Sequence, residues 1–332
     1  MAENRNAQQV REITDKLEQG LKELFESERF KEYLKTMSKF YNYSFNNTIL
    51  IAMQKPDATL IAGYTAWQRN FDRHVMKGEK GIKILAPAPY KVQEEREKLD
   101  PATQKPVLDK DGKPVTETVE VTRPAFKVVS VFDVSQTDGK ELPDIAVDEL
   151  TGSVENYAAF FDALKELSPV PIAFENITDG AKGYFSHVEN RIAIQEGMSE
   201  IQTIKTAIHE IAHAKLHAVT PGEKVAPEDK KDRRTKEVEA ESVAYTVCQR
   251  YGIETSDYSF GYIAGWSSDK ETKELKGSLE TIRKTAAEMI EGIDAKLKVL
   301  LAEKAQSADI RHPAFQLIHQ VFQAVQLPFP HF

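Results

Sequence analysis

Residues 207–217 read Ala207-Ile208-His209-Glu210-Ile211-Ala212-His213-Ala214-Lys215-Leu216-His217, and the reading of the second half of the chain turns on them. The core of the stretch, HEIAH, fits the pattern H-E-x-x-H. On a helix, residues four apart differ by about 40° in direction, so the imidazoles of His209 and His213 reach toward one point. Glu210, beside the first histidine, is then placed to hold a water there and take its proton. The competing reading is a helix that happens to carry three histidines. Choosing between the two requires a helix under the motif and a third ligand elsewhere.

The flanking sequence supplies the helix. From Ser199 onward, Ile201, Ile204, Ile208 and Ile211 recur at helical spacing. Upstream, PIAFENI, GYFSH (183–187) and RIAIQ (191–195) read as strands. Strands leading directly into an H-E-x-x-H helix are the order expected of a zincin, whose edge strand pairs with an extended peptide. Downstream, PGEKVAPEDKKDRRTK is polar and loop-like, and KEVEAESVAYTVCQRYG is helical with Gly252 as its stop.

On that second helix Glu237 and Glu241 share a stripe, and Glu239 points to the opposite side. Two imidazoles and one carboxylate, with water in the open position, make a His2Glu zinc site. His209 and His213 are therefore read as ligands of Zn2+, Glu237 as the third ligand and Glu210 as the general base. Glu241 is read as the acceptor of a hydrogen bond from a ligand imidazole. Spacing alone leaves the order of Glu237 and Glu241 open. His217 does not have the spacing of a third histidine ligand and is read as packing, or as a contact behind a ligand, rather than as a ligand itself. Tyr184, Tyr245 and His187 are candidates for steadying an oxyanion.

Length and composition bound these readings. The chain has 332 residues, room for two domains, with 41% hydrophobic and 29% charged residues, the balance of a globular protein. No apolar run approaches the length of a membrane span, and the polar N-terminus does not read as a signal peptide. The single cysteine, Cys248, excludes an intrachain disulfide and reads as a core residue. Together these predict a cytoplasmic protein with no membrane partner. The net charge of −8 argues against a uniformly basic nucleic-acid binder. Residues 31–91, however, hold ten Lys/Arg against four Asp/Glu, a local balance of +6.

The basic region lies in a half with its own organisation. Residues 5–40 carry apolar residues at helical spacing, and 44–54 and 63–71 read as shorter helices. Strands are expected at Ile82–Ala86 and over 124–135. The charged, turn-rich stretch 91–123 between them reads as a protruding hairpin or loop. QTDGKELPDIAVDELTG (136–152) has the composition of a linker. After it, helices are expected from 153 to 167 and over about 273–303.

Within 39–87, aromatic and basic residues interleave, the mixture that single-stranded nucleic acid requires. Arg69, Arg73, Lys77 and Lys80 are candidates for backbone contacts, and Tyr43 and Trp67 for stacking on bases. The bland alternative is that the rings are core and the lysines ordinary surface. The run YNYSFNNTILIAMQKPDAT, GYTAWQ and VMKGEKGIKILAP, resumed at VSVFDVSQT, resembles the N-terminal domain of ArdC-type antirestriction proteins. That resemblance implies single-stranded DNA binding and carriage by mobile elements. GYFSHVENRIAIQEGMSEIQTIKTAIHEIAHAKLH with EVEAESVAY is similar to the ImmA/IrrE group of zinc metallopeptidases.

The expectation is therefore an α+β protein of two domains. An ArdC-like single-stranded DNA-binding domain spans 1–140, a linker 141–152, and a gluzincin-like metallopeptidase domain with a helical tail 153–332. Its expected function is to protect or establish incoming DNA, with an unidentified protein or peptide as substrate. Two alternatives stand beside it: a regulatory zinc endopeptidase of the ImmA kind that cleaves a repressor, and a DNA-binding protein with a structural zinc site.

Overall fold

Two helices, rather than the single one expected, fill residues 5–40: α1 (Ala2–Glu23) and α2 (Ser27–Lys39). The chain turns between them, and Leu24 and Phe25 at the corner are both buried. The structure, a computed structural model, describes residues 2–101, 103–142, 154–218, 231–253, 255, 258, 260–268 and 270–307. Helix α3 (Phe45–Gln54) is capped by Ser44, whose hydroxyl accepts from the Asn47 N–H, and it ends where Pro56 stops it. Then follow β1 (Ile61–Gly63), α4 (Tyr64–Phe71), β2 (Arg73–Val75) and β3 (Ile82–Pro87). The charged stretch is a hairpin of β4 (Tyr90–Glu97) and β5 (Thr116–Arg123), paired from Tyr90↔Arg123 to Glu97↔Thr116.

Strand β6 (Phe126–Asp133) lies between β1 and β3, antiparallel to both. Ile82, Ile84 and Val131 face Phe40, Ile51 and Ile61 in a small core. The Asp133 carboxylate ties the end of β6 to the start of β1, accepting the backbone N–H groups of Thr59 (2.7 Å) and Leu60 (3.1 Å). The first residues of the expected linker continue this fold, because β7 (Thr137–Gly139) pairs with β2. Most of the remaining linker falls outside the described residues.

The second half opens with α5 (Val154–Leu167). A three-stranded sheet follows: β8 (Ile172–Glu175), β9 (Gly183–Ser186) and β10 (Arg191–Gln195). Strand β10 is central, parallel to β8 and antiparallel to β9, which leaves β9 on an edge. Helix α6 (Glu200–His217) begins where the Ser199 side chain accepts the Gln202 N–H. Helix α7 (Arg233–Arg250) begins at Asp232, which accepts the Thr235 N–H at 2.7 Å. The short α8 (Ile263–Ser267) and long α9 (Thr272–Ser307) complete the described chain. Cys248 is fully buried on α7, as its apolar neighbours predict.

The largest core does not stop at residue 140. Ile13, Phe30, Leu34 and Met37 of the N-terminal helices join Phe160, Ile208, Val243 and Ile290 in a single cluster. Phe30 meets Phe260 edge to face at 5.3 Å, and Phe25 meets Trp266 at 5.9 Å. Arg283 of α9 donates to the carbonyls of Tyr41 (3.5 Å) and Tyr43 (3.4 Å), and Arg250 of α7 lies over the Tyr41 ring at 5.3 Å. The three N-terminal helices thus form a layer under the second half as well as a wall of the first.

Candidate metal centre

The metal-binding candidates sit where α6 and α7 cross beside β9. Gly183 makes this approach possible, because a Cβ there would lie 2.5 Å from Thr206 Cγ2 and 2.9 Å from the Ala193 carbonyl. With the strand this close, the Phe185 backbone N–H donates to the Glu210 carboxylate. One turn of α6 brings His209 Nε2 within 3.1 Å of His213 Nε2. From α7, Glu237 Oε2 lies 3.7 Å from the former and 3.6 Å from the latter. A tetrahedral zinc site, with ligands about 2.0–2.2 Å from the ion, has donor separations of about 3.3–3.6 Å. The triangle found is close to one face of such a tetrahedron.

The chemistry of the donors agrees with that shape. Two imidazole nitrogens 3.1 Å apart repel unless a proton or a cation lies between their lone pairs. Burial opposes a charge on His209, but Glu237, Glu210 and Glu241 outweigh it and raise its pKa. The contacts from His209 and His213 hold the Glu237 carboxyl far below the usual range. Burial pushes Glu210 up, against the pull of the same two histidines. Three donor atoms able to hold a metal ion thus converge here, and a carboxylate with raised basicity stands next to them.

Behind the ligands lies a buried chain of contacts that the sequence reading did not find. His213 Nδ1 meets His217 Nδ1 at 3.0 Å, and His217 Nε2 meets Glu239 Oε2 at 3.1 Å. Lys231 Nζ closes the chain, donating to both Glu239 oxygens at 2.7 Å. Glu239 does point away from Glu237 and Glu241, but its side chain is 0% exposed and that of His217 only 2%. Burial works against the charge on Glu239, and the contacts from His217, Lys231 and Ser278 overcome it and hold its carboxyl low. Its available signal was the run His209, His213, His217, each about one turn after the last along one helix face, with the last member in need of a partner.

Glu241 lies close enough to His209 to help raise its pKa. Its carboxylate accepts the Tyr262 hydroxyl, and it lines a cavity of about 330 Å³ together with His209, Glu210 and Lys205. Glu239 stands behind His213 at one remove, through His217. A second cavity, of about 540 Å³, opens on the other side of Glu210 along Gly183, Tyr184 and Phe185 and is rimmed by His187, Arg233 and Lys236. Of the oxyanion candidates, His187 lines this cavity, with burial and the nearby Lys236 lowering its pKa. The Tyr184 hydroxyl is taken up by Glu175 at 2.5 Å. Tyr245 packs in an aromatic cluster with Tyr258 and Phe260 and lines neither cavity.

The DNA-binding candidates divide. Arg69, Lys77 and Lys80 are exposed. Arg73 is not a free cation, because its guanidinium donates to Thr137 Oγ1 (2.8 Å) and to the carbonyls of Thr137 (2.9 Å) and Lys140 (2.5 Å), pinning β7 to β2. Trp67 is a core residue and not a stacking platform. It is 0% exposed, packs on Phe71 at 4.8 Å and donates its indole N–H to the Phe132 carbonyl. The i, i+4 spacing of Trp67 and Phe71 was the available sign of a buried face. Tyr43 lies mostly against Phe40, and desolvation pushes its hydroxyl up to about 12. Among the described Phe, Tyr and Trp residues of the first half, those exposed to solvent are Tyr64 (58% exposed), Tyr90 and Phe126 (53% each).

Comparison with known proteins divides the chain in the same way. Residues 4–132 match the family described as the N-terminal domain of the anti-restriction factor ArdC. Residues 168–251 match the IrrE N-terminal-like domain family. The chain is 28% identical over 338 residues to the uncharacterized protein pXO2-81 of Bacillus anthracis, a match covering 91% of this chain and 54% of that protein. It is also 34% identical over 148 residues to DNA primase TraC of Escherichia coli, covering 42% of this chain and 12% of the primase. The chain therefore spans about half the length of the first relative and a small part of the second. Among solved structures, the metal-free antirestriction ArdC protein from the R388 plasmid aligns with a TM-score of 0.43 at 20% identity, covering 81% of this chain and 87% of that one. The Mn(II)-bound form of that protein gives 0.43 at 19%, covering 77% and 84%. Among the described residues, no helix is long and apolar enough to cross a membrane.

Proposed function

We propose that this chain, carrying an ArdC-type N-terminal domain and an IrrE-like metallopeptidase domain, is an antirestriction-type protein that binds single-stranded DNA and hydrolyses a peptide bond in a protein partner. The observation that carries the reading is the convergence of His209, His213 and Glu237 beside Glu210, in a cleft bordered by an edge strand. The donor set of two imidazoles and a carboxylate suits Zn2+, which when bound would supply Lewis acidity toward a carbonyl and lower the pKa of water. Glu210 then has one task, to hold a water and accept its proton. The burial that raises its basicity and the Phe185 N–H that fixes its position both serve this. The outer edge of β9 offers an extended peptide backbone partners along the cleft.

For DNA, the exposed cations Arg69, Lys77 and Lys80 would follow the phosphates, with Tyr64 the leading candidate for stacking. The likeness to a DNA primase supports a role in DNA transactions. The proposed setting is protection or establishment of DNA entering a new host, inside the cytoplasm.

Two measurements on the full chain test this. Fluorescence anisotropy should show tighter binding to an unstructured oligonucleotide than to duplex, with affinity falling steeply as salt rises. Mass spectrometry of new protein termini in a bacterial lysate should find termini with the zinc-loaded protein and none with Glu210→Gln. Termini confined to a repressor would favour a regulatory endopeptidase. Strand binding with no termini at all would leave the metal a structural part.

A further inference from the structure

We infer that His217 and Glu239 are positioning residues for the metal centre, acting through His213 to fix which nitrogen of that ligand is free to bind. The inference rests on the proposed metal site and goes beyond it to the question of how the site is set before an ion arrives.

The hydrogen-bonded chain has one consistent direction. Glu239 carries a carboxylate, which only accepts, and Lys231 donates to both of its oxygens. Across 3.1 Å, His217 must therefore donate from Nε2. A neutral His217 protonated at Nε2 has a bare Nδ1, which accepts. The group facing it, 3.0 Å away, is His213 Nδ1, which must then donate. His213 is thus held as the Nδ1–H tautomer, and its Nε2 lone pair is left pointing toward His209 and Glu237. Reversing any one link would leave a buried acceptor facing an acceptor. The burial of Glu239 and His217 makes such a mismatch expensive, since no water replaces the lost partner.

The arrangement differs from a ligand histidine resting directly on a carboxylate. An imidazole is inserted between them, and the carboxylate charge is matched by Lys231 at the far end, where the lysine side chain is 36% exposed. The chain also joins α6 to the segment entering α7, so the parts that carry all three ligands are tied behind the site as well as at it.

The test uses the full-length protein, stripped of metal and titrated with zinc against a chromophoric chelator. His217→Phe keeps the ring volume and removes both nitrogens; Glu239→Gln is nearly isosteric and removes the charge. Both should bind zinc about 10–100-fold more weakly than the parent, the range that loss of an outer partner costs. His217→Gln, which again offers one acceptor and one donor, should recover part of the loss. Long-range 15N–1H spectra of histidine-labelled, metal-free protein should show His213 protonated at Nδ1 in the parent and a mixture of tautomers in Glu239→Gln. Unchanged zinc affinity and an unchanged His213 tautomer in Glu239→Gln would overturn the inference even if His217→Phe fails to fold. A parent protein that binds no zinc would instead overturn the metal site itself, and the positioning role with it.

Discussion

At the scale of single residues, Tyr64 and Trp67 separate two jobs that composition cannot. Both are aromatic, three positions apart, in a basic stretch. Tyr64→Ala should weaken single-strand binding by about 1–3 kcal/mol, the loss of one stacking partner, with no change in melting temperature. Trp67→Ala should cost about 3–5 kcal/mol of stability, because it empties a fully buried site and removes the indole N–H that the Phe132 carbonyl accepts. Calorimetry and anisotropy on the two variants distinguish these outcomes directly. Gly183→Ala is the corresponding probe on the other half. The added methyl meets Thr206 and a carbonyl of β10 and should destabilise the protein by about 1–3 kcal/mol. It should also move β9 away from Glu210, so any peptidase activity should fall further than stability does.

The ligand motif was readable because its spacing is itself geometric: four residues on a helix define a face whatever surrounds it. Glu237 shared that geometry with Glu241, so spacing narrowed the third donor to these two without choosing between them. Glu239 was not readable, since an acidic residue in the sequence KEVEAE looks like solvated surface until its partner is seen. That partner, Lys231, lies in a stretch with no periodicity, so its position could not be read from spacing.

At the scale of elements, helix starts were marked by Ser44 and Ser199, and Asp232 caps α7 in the same way, ahead of where the sequence reading began that helix; each accepts a backbone N–H of the first turn. Asp232→Ala should remove one such cap and cost about 0.5–2 kcal/mol, lowering the melting temperature of the full chain. Because Glu237 lies in the second turn of the same helix, zinc affinity should fall with it, which chelator competition would report. The β4–β5 hairpin gives the opposite expectation. Its strands place no side chain in any of the hydrophobic clusters, so replacing the tip, residues 98–115, by a two-residue turn should leave the melting temperature within a few degrees. That a hairpin or loop protrudes here was legible from the charge and turn residues, but the choice between the two was not. The break between α1 and α2 was not legible, because the apolar spacing continues across it and no glycine or proline marks the corner.

At the scale of the whole molecule, the sequence divides into two halves more cleanly than the packing does. Helices α1 and α2 and the corner between them bury Leu21, Phe25, Phe30 and Leu34, and much of what covers them comes from beyond residue 153. A fragment ending at residue 140 should therefore expose this surface, bind a hydrophobic dye and melt below the intact protein. The intact protein should unfold in one transition by both circular dichroism and tryptophan fluorescence, since Trp67 sits in a small cluster of the first half and Trp266 in the cluster the two halves share. Two separate transitions would mean that the shared cluster is too weak to couple the halves. Pattern-reading could not foresee this, because periodicity states that a face is buried and is silent about which element buries it.

The contact of Phe30 with Phe260, and of Phe25 with Trp266, has a consequence for how such a chain can be recombined. A gene segment encoding the first 140 residues is not a cassette. Moved onto a foreign partner, it would arrive with half of an aromatic joint and no counterpart. Moved together with the facing positions of α7 to α9, it would keep its seat. Successful grafts should therefore carry co-selected pairs at these ring contacts, and a chimera that fails to fold should be rescued by restoring Phe260 and Trp266 rather than by lengthening the connection near residue 141.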